Sequence, residues 1–238
     1  MKEEKRINKM LSEVGFCSRR EADRLIEAGR ILVDGQVASM GMKILSSQSV
    51  TVDGKTVCFG KEPEVVLALY KPKGIVCTTD KREKDNIIDF IHYERRVYPV
   101  GRLDKDSEGL ILLTNNGELM DQILRSRNEH EKEYIVKVNC DVRTEVLQAM
   151  EQGVPILDTM TKPCQVKRLG KREFSITITQ GLNRQIRRMC EYFDLRVVKL
   201  KRIRIMNIHL GNLPEGTYRN IAGRELDELK HAANGRVK

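Results

Sequence analysis

The chain has no tryptophan, only four histidines and an aromatic content of 5% across its 238 residues. Its six cysteines stand at positions 17, 58, 77, 140, 164 and 190, and no two lie closer than 19 residues apart. A zinc ribbon or a dithiol redox motif requires closely spaced cysteine pairs, so neither is supported. The scattered histidines offer no metal-binding pair either, and we expect neither metal nor cofactor. Positions 65–70 form the longest uninterrupted apolar run, far short of the ~20 residues of a membrane-spanning helix. The opening residues MKEEKRINKML contain no apolar stretch followed by a small-residue cleavage site, so no secretory signal is visible. These absences lead us to expect a reduced, cytoplasmic protein with no membrane anchor.

What the sequence does have is positive charge. Lys and Arg number 43 against 34 Asp and Glu, a formal net charge of +9. The hydrophobic fraction of 40% supports a folded core, which excludes a disordered basic tail. A charge of this sign favours an acidic partner, nucleic acid first and an anionic membrane surface second. The membrane alternative needs a strongly amphipathic apolar helix, and none is evident. No spare heptad or long apolar strand edge is evident, so we expect a monomer.

Residues 1–60 read as one small unit, with a linker at 61–64 and a larger domain at 65–238. Ile7, Met10, Leu11 and Val14 recur at helical spacing, and Gly15 follows as a stop. Ser18 and Glu21 form a capping box that opens a second short helix, whose apolar face is Ala22, Leu25 and Ile26. Asp34-Gly35 and Asp53-Gly54 mark tight turns between short strands. Beyond residue 64 we expect strands at 65–70, 97–100, 110–114, 133–138, 174–179 and 196–203. Helices are expected at 118–124, 144–150, 183–193 and 224–232. Strand and helix do not alternate regularly, so the fold class is α+β on a mostly antiparallel sheet rather than a doubly wound parallel one.

Three stretches carry candidate chemistry. Lys9, Arg19, Arg20, Arg24 and Arg30 surround the second helix, and Arg19 and Arg20 sit in its first turn, where the helix dipole disfavours cations. Such placement suits either an anion-binding surface or an ordinary solvated face. The loop Gly101-Arg102-Leu103-Asp104-Lys105-Asp106-Ser107-Glu108 holds three carboxylates. Asp106 and Glu108 suit a solvated turn. Asp104 follows apolar Leu103 at a strand end, where partial desolvation demands a cationic partner; a catalytic acid and a structural ion pair both fit. In Gly181-Leu182-Asn183-Arg184-Gln185-Ile186-Arg187-Arg188, three arginines at helical spacing share one face. Their mutual repulsion calls for an anion between them, a phosphate or a carboxylate.

The run RINKMLSEVGFCSRREADRLIEAGRILVDGQ resembles the S4 RNA-binding domain, in which such a helix pair presents basic side chains to structured RNA. GRLDKDSEGLILLTNNGEL, KEYIVKV, QGLNRQIRRMC and the earlier Lys71-Pro72-Lys73-Gly74 together resemble the RsuA-type pseudouridine synthases. HEKEY, GVPILDT and RIMNI look most like members of that family acting on large-subunit ribosomal RNA. This resemblance implies an α+β catalytic domain without metal or cofactor. It implies Asp104 as the essential aspartate, Tyr134 as the ring that stacks on the target base, and Arg187 as the arginine paired with Asp104. Arg102 is implied in organising the flipped uridine. Lys71, Arg184, Gln185 and Arg188, with Lys9, Arg19 and Arg20 in the first unit, are implied in RNA binding or site support. The expected partner is a ribosomal RNA stem-loop, either naked or within an assembling particle. A small-subunit enzyme of the same family and a non-catalytic RNA clamp are the competing expectations; the clamp leaves Asp104 without a purpose.

Overall fold

The computed structural model describes residues 4–60, 63–125 and 129–235. The chain divides into two compact units, Met1–Glu64 and Val65–Lys238.

In the first unit, β1 (Lys5–Arg6) leads into α1 (Ile7–Glu13) and α2 (Arg19–Glu27). The short strands β2 (Ile31–Val33), β3 (Gln36–Val37), β4 (Lys43–Ile44), β5 (Val50–Val52) and β6 (Lys55–Thr56) follow. Four of them pair in the order β3-β2-β5-β6, while β1 pairs separately with β4. Asp34 and Gly35, and again Asp53 and Gly54, all have positive φ, the backbone that a two-residue hairpin turn of primed type requires. Ser18 caps α2 as expected, its Oγ accepting from the Glu21 amide at 3.1 Å. The reciprocal half of the box is replaced, because Arg24 draws the Glu21 carboxylate away at 3.2 Å. Ile7, Leu11, Ala22, Ile26, Ile31 and Val50 close a small core of their own.

The second unit begins with β7 (Val66–Lys71), α3 (Ile87–Ile91), β8 (Tyr98–Val100), β9 (Glu108–Thr114), α4 (Gly117–Leu124) and β10 (Lys132–Val138). It continues with α5 (Thr144–Gln152), β11 (Pro155–Ile156), β12 (Thr159–Met160), β13 (Gln165–Gly170), β14 (Glu173–Ile178) and α6 (Gln185–Glu191). It ends with β15 (Val197–Ile205), β16 (Ile208–His209), β17 (Tyr218–Asn220) and α7 (Gly223–Ala233). Nine strands form one sheet in the order β13-β14-β10-β15-β9-β7-β17, with β8 added to β9 and β16 to β15. The α+β expectation holds, with β15 and β9 as a parallel pair in an otherwise antiparallel sheet.

The sheet is covered on both faces, which explains the continuous apolar runs of β7 and β9. Side chains alternate across a strand, so Leu67, Leu69, Ile111 and Leu113 join α5 and α6 in one core. Val66, Ala68, Leu110 and Leu112 join α4 and α7 in the other. Among the described residues no helix is long and apolar enough to cross a membrane, and no cluster of three His, Cys, Asp or Glu is placed to hold a metal ion.

The parallel pair forces a close approach at the start of β9. Gly109 has φ +110°, and a Cβ there collides with the Arg202 backbone. Gly109→Ala should therefore destabilise the protein by more than about 2 kcal/mol, combining positive-φ strain with steric overlap. Urea unfolding measures this; a loss below about 0.5 kcal/mol, the range of ordinary surface changes, contradicts the close approach.

Candidate active site

Residues 101–107 leave β8 and return into β9 as a loop tied at three points. The Leu103 amide donates to the Cys77 thiol at 3.3 Å, and the Leu103 side chain is buried in the core. The Gly74 amide donates to the Lys105 carbonyl at 2.8 Å, and the Ser107 amide to the Asp104 carbonyl at 3.0 Å. Between these anchors the Asp104 side chain remains 35% exposed. It stands on the wall of a cavity of about 350 Å³, together with Arg102, Tyr134, Arg184, Gln185 and Leu200.

The arginine segment comes together differently from a single helical face. Arg184 is the residue before α6 and has a left-handed backbone, φ 50°, so the helix starts at Gln185 rather than at 183. From that turn Arg184 reaches Asp104 at 3.7 Å and Asp106 at 3.4 Å. Arg187, one turn into the helix and 9% exposed at its side chain, reaches the same two acids from behind. Its Nη2 contacts the Asp106 carboxylate at 3.1 Å and donates to Ser107 Oγ at 3.1 Å. Its Nε lies 3.9 Å from Asp104 and is buried without a hydrogen-bond partner. Arg188 folds back instead, donating to the Asn183 carbonyl at 3.1 Å, so the expected three-arginine face is a two-arginine clamp.

Across the cavity, Tyr134 projects from β10 and is 8% exposed. Its register partner on β15 is Arg202, which the sequence reading missed. Arg202 is 3% exposed; its Nε donates to the Leu110 carbonyl at 2.7 Å and its Nη1 to the Tyr134 hydroxyl at 3.4 Å. The available signal was the period of two in β15, which puts Arg202 on the same inward side as Leu200.

Two expected RNA contacts need correction. Lys71 is 0% exposed, its ammonium enclosed by the Pro72 and Ile75 carbonyls at 2.7 and 2.9 Å. It therefore braces the turn after β7 and cannot reach RNA. Gln185 is buried as well, and its side-chain oxygen accepts from the Leu182 amide at 3.1 Å, which supports the start of α6. Arg102 is exposed and lines the cavity. In the first unit Arg19 and Arg20 are exposed, whereas Lys9 pairs with Glu13 at 3.5 Å.

Glu108 also departs from its solvated-turn reading. It is 5% exposed, accepting from the Tyr70 hydroxyl at 2.9 Å and pairing with Lys199 at 3.0 Å. Burial pushes its carboxyl pKa up, but the bonds from Lys199 and Tyr70 reverse this and leave it below the ordinary value. A depressed folded-state pKa contributes stability that is present above the unfolded value and lost as pH falls through the folded one. Glu108→Gln should thus cost about 1–3 kcal/mol at neutral pH, and this difference from wild type should shrink as the pH falls below about 4.3, the ordinary glutamate value. Urea titrations over an acidic pH series test this; a gap independent of pH contradicts the ionised pairing.

The RNA pseudouridylate synthase family matches residues 65–192, and the S4 domain matches residues 5–48. The chain is 50% identical over 225 residues to the dual-specificity RNA pseudouridine synthase RluF of Escherichia coli (strain K12), a match covering 94% of this chain and 78% of that protein. It is 35% identical over 238 residues to the ribosomal large subunit pseudouridine synthase B of Bacillus subtilis (strain 168), covering 96% and 97% of the two chains. A crystal structure of a pseudouridylate synthase matches with a TM-score of 0.69 at 27% identity, over 94% of this chain and 99% of that one. With its family match spanning over half of its length and its acid–arginine–tyrosine cavity inside the matched region, the chain belongs to the RNA pseudouridylate synthase family, enzymes that isomerise uridine to pseudouridine.

Proposed function

We propose that the protein converts a defined uridine of large-subunit ribosomal RNA to pseudouridine, with Asp104 as the essential carboxylate. The observation that carries this reading is the placement of Asp104 and Tyr134 on the wall of one cavity, with two arginines converging on the acid. The Bacillus subtilis relative, which bears the large subunit in its name, supports the choice of RNA.

The reaction breaks the bond from uracil N1 to the ribose C1′ and forms one from C5 to C1′. The C5 proton leaves to solvent and N1 takes a proton, so nothing is oxidised or reduced. A carboxylate serves this chemistry in one of three ways: attack on the anomeric carbon, attack on the pyrimidine ring, or removal of a sugar proton. Each requires a carboxylate held in a fixed place, and the Arg184–Arg187 clamp holds Asp104 there. A stacked base is inaccessible, so the uridine flips out of a stem-loop into the cavity. The Tyr134 ring gives it a stacking surface, worth about 1–3 kcal/mol in single-strand binders. Enclosure by Leu103, Leu182 and Leu200 keeps the detached base from escaping to water. The protein acts as a monomer, with Arg19 and Arg20 of the S4 unit adding contacts to RNA phosphates.

Tritium at the uridine C5 position is released to water as product forms. Asp104→Asn should bind the RNA with affinity within about 3-fold of wild type and lower tritium release by more than about 10²-fold, the scale of a lost acid–base group. Retained release by a clean preparation of that variant sinks the assignment. Charge reversal of Arg19 and Arg20 to Glu should weaken RNA binding at low salt by at least about 10-fold. An unchanged affinity in a filter-binding titration removes the S4 unit from RNA recognition.

A further inference from the structure

A second cavity, of about 350 Å³, shares Arg102, Tyr134 and Gly181 with the first and is otherwise lined by different residues. Its walls carry Lys132, Arg202, His130 and Arg125 and, among the described residues, no carboxylate. Lys132 and Tyr134 are two residues apart on β10, and so on one face of the sheet, with Arg202 as the register partner of Tyr134 on β15.

The charges lining this cavity are unbalanced. Arg125 pairs with Asp121, and the His130 ring faces the Gln122 carbonyl at 3.2 Å. Lys132, by contrast, donates to the His130 carbonyl at 3.2 Å and, among the described residues, has no acid within 4 Å. Glu131 and Glu133, its chain neighbours, both engage Arg204 at 2.9 and 3.0 Å. Arg202 is held only by carbonyls and the Tyr134 hydroxyl, and its Nη2 is buried with no hydrogen-bond partner. Burial and the neighbouring Arg202 push the Lys132 pKa down to about 8. Desolvating two cations side by side without a counter-charge is unfavourable. An anion entering the cavity relieves the repulsion and gives the Lys132 ammonium its missing counter-charge.

We propose that Lys132, with the buried Arg202 beside it, binds a phosphodiester of the RNA, the one next to the uridine stacked on Tyr134. The ammonium presents a compact point charge to a phosphate oxygen, and the buried Arg202 guanidinium behind it adds to the positive field without touching the phosphate. The shared Tyr134 wall places this phosphate one side of the ring and the base on the other, which fixes the register of the flipped nucleotide. This inference rests on the RNA-modifying reading of the first cavity and adds the contact that positions the strand there.

The test uses the full chain and a transcript of large-subunit ribosomal RNA, with affinity measured between about 50 and 200 mM salt. Lys132→Gln should weaken binding about 10-fold at the low-salt end and reduce the slope of log affinity against log salt by about 0.7–0.9, the signature of one lost phosphate contact. Lys132→Arg, which keeps the charge, should restore both to near wild type. An unchanged affinity and slope in Lys132→Gln overturns the proposal, as does weakened binding with an unchanged slope, which marks a packing defect. Inorganic phosphate should compete with the transcript in wild type and lose potency in Lys132→Gln. Potent competition by phosphate with no effect of Lys132→Gln on RNA identifies a free-anion site and again overturns the proposal. If wild type binds the transcript with the steeper slope yet releases no tritium from it, the functional reading falls and this site stands.

Discussion

The catalytic unit depends on one contact: the Arg187 guanidinium buried between α6 and the loop entering β9. Its Nη2 takes both Ser107 and Asp106, while Nε is turned toward Asp104 at 3.9 Å. That geometry ties a helix packed on the sheet to a loop that would otherwise follow its own solvent-exposed acids. Charge-assisted bonds of this kind contribute about 1.5–3 kcal/mol each, so loop and helix are held as one piece. The arrangement also keeps a spare donor beside the acid that lines the cavity.

The loop could not be held this way without the strands beneath it. Gly109 lets β9 run parallel against β15 at backbone contact, and the Glu108 carboxylate joins Tyr70 of β7 to Lys199 of β15. The same approach places Arg202 under Tyr134. A single close parallel pairing in the sheet thus sets the acid, the ring and the second basic cavity in register. The net charge of +9 gains a location as well. Residues 1–64 hold 11 basic and 10 acidic side chains, whereas residues 181–204 hold 8 basic and 2 acidic. The field that draws RNA in is therefore strongest beside the cavity, not on the S4 unit.

Much of this was legible in the sequence where burial is two-sided or periodic. The runs at β7 and β9 declared themselves as strands, and the GRLD loop and arginine segment stood out because charge accumulates there against local preference. β13 was missed because its residues QVKRLG lie on a sheet edge and are largely exposed, so no apolar pattern marks them. Lys71 and Glu108 were misread for the opposite reason. Both are charged residues at strand ends that the sheet buries against partners distant in sequence, carbonyls in one case and Tyr70 with Lys199 in the other. Arg202 shows the limit most clearly: its inward phase could be counted along β15, but its partner Tyr134 lies 68 residues away.

The central claim is that Asp104, clamped by Arg184 and Arg187 opposite Tyr134, isomerises uridine in large-subunit ribosomal RNA. The most direct measurement is a chemical map of pseudouridine in unmodified large-subunit ribosomal RNA before and after incubation with the wild-type protein. The account predicts new pseudouridine at a small, reproducible set of positions. Ribosomal RNA that the protein binds but leaves without a single new pseudouridine contradicts it.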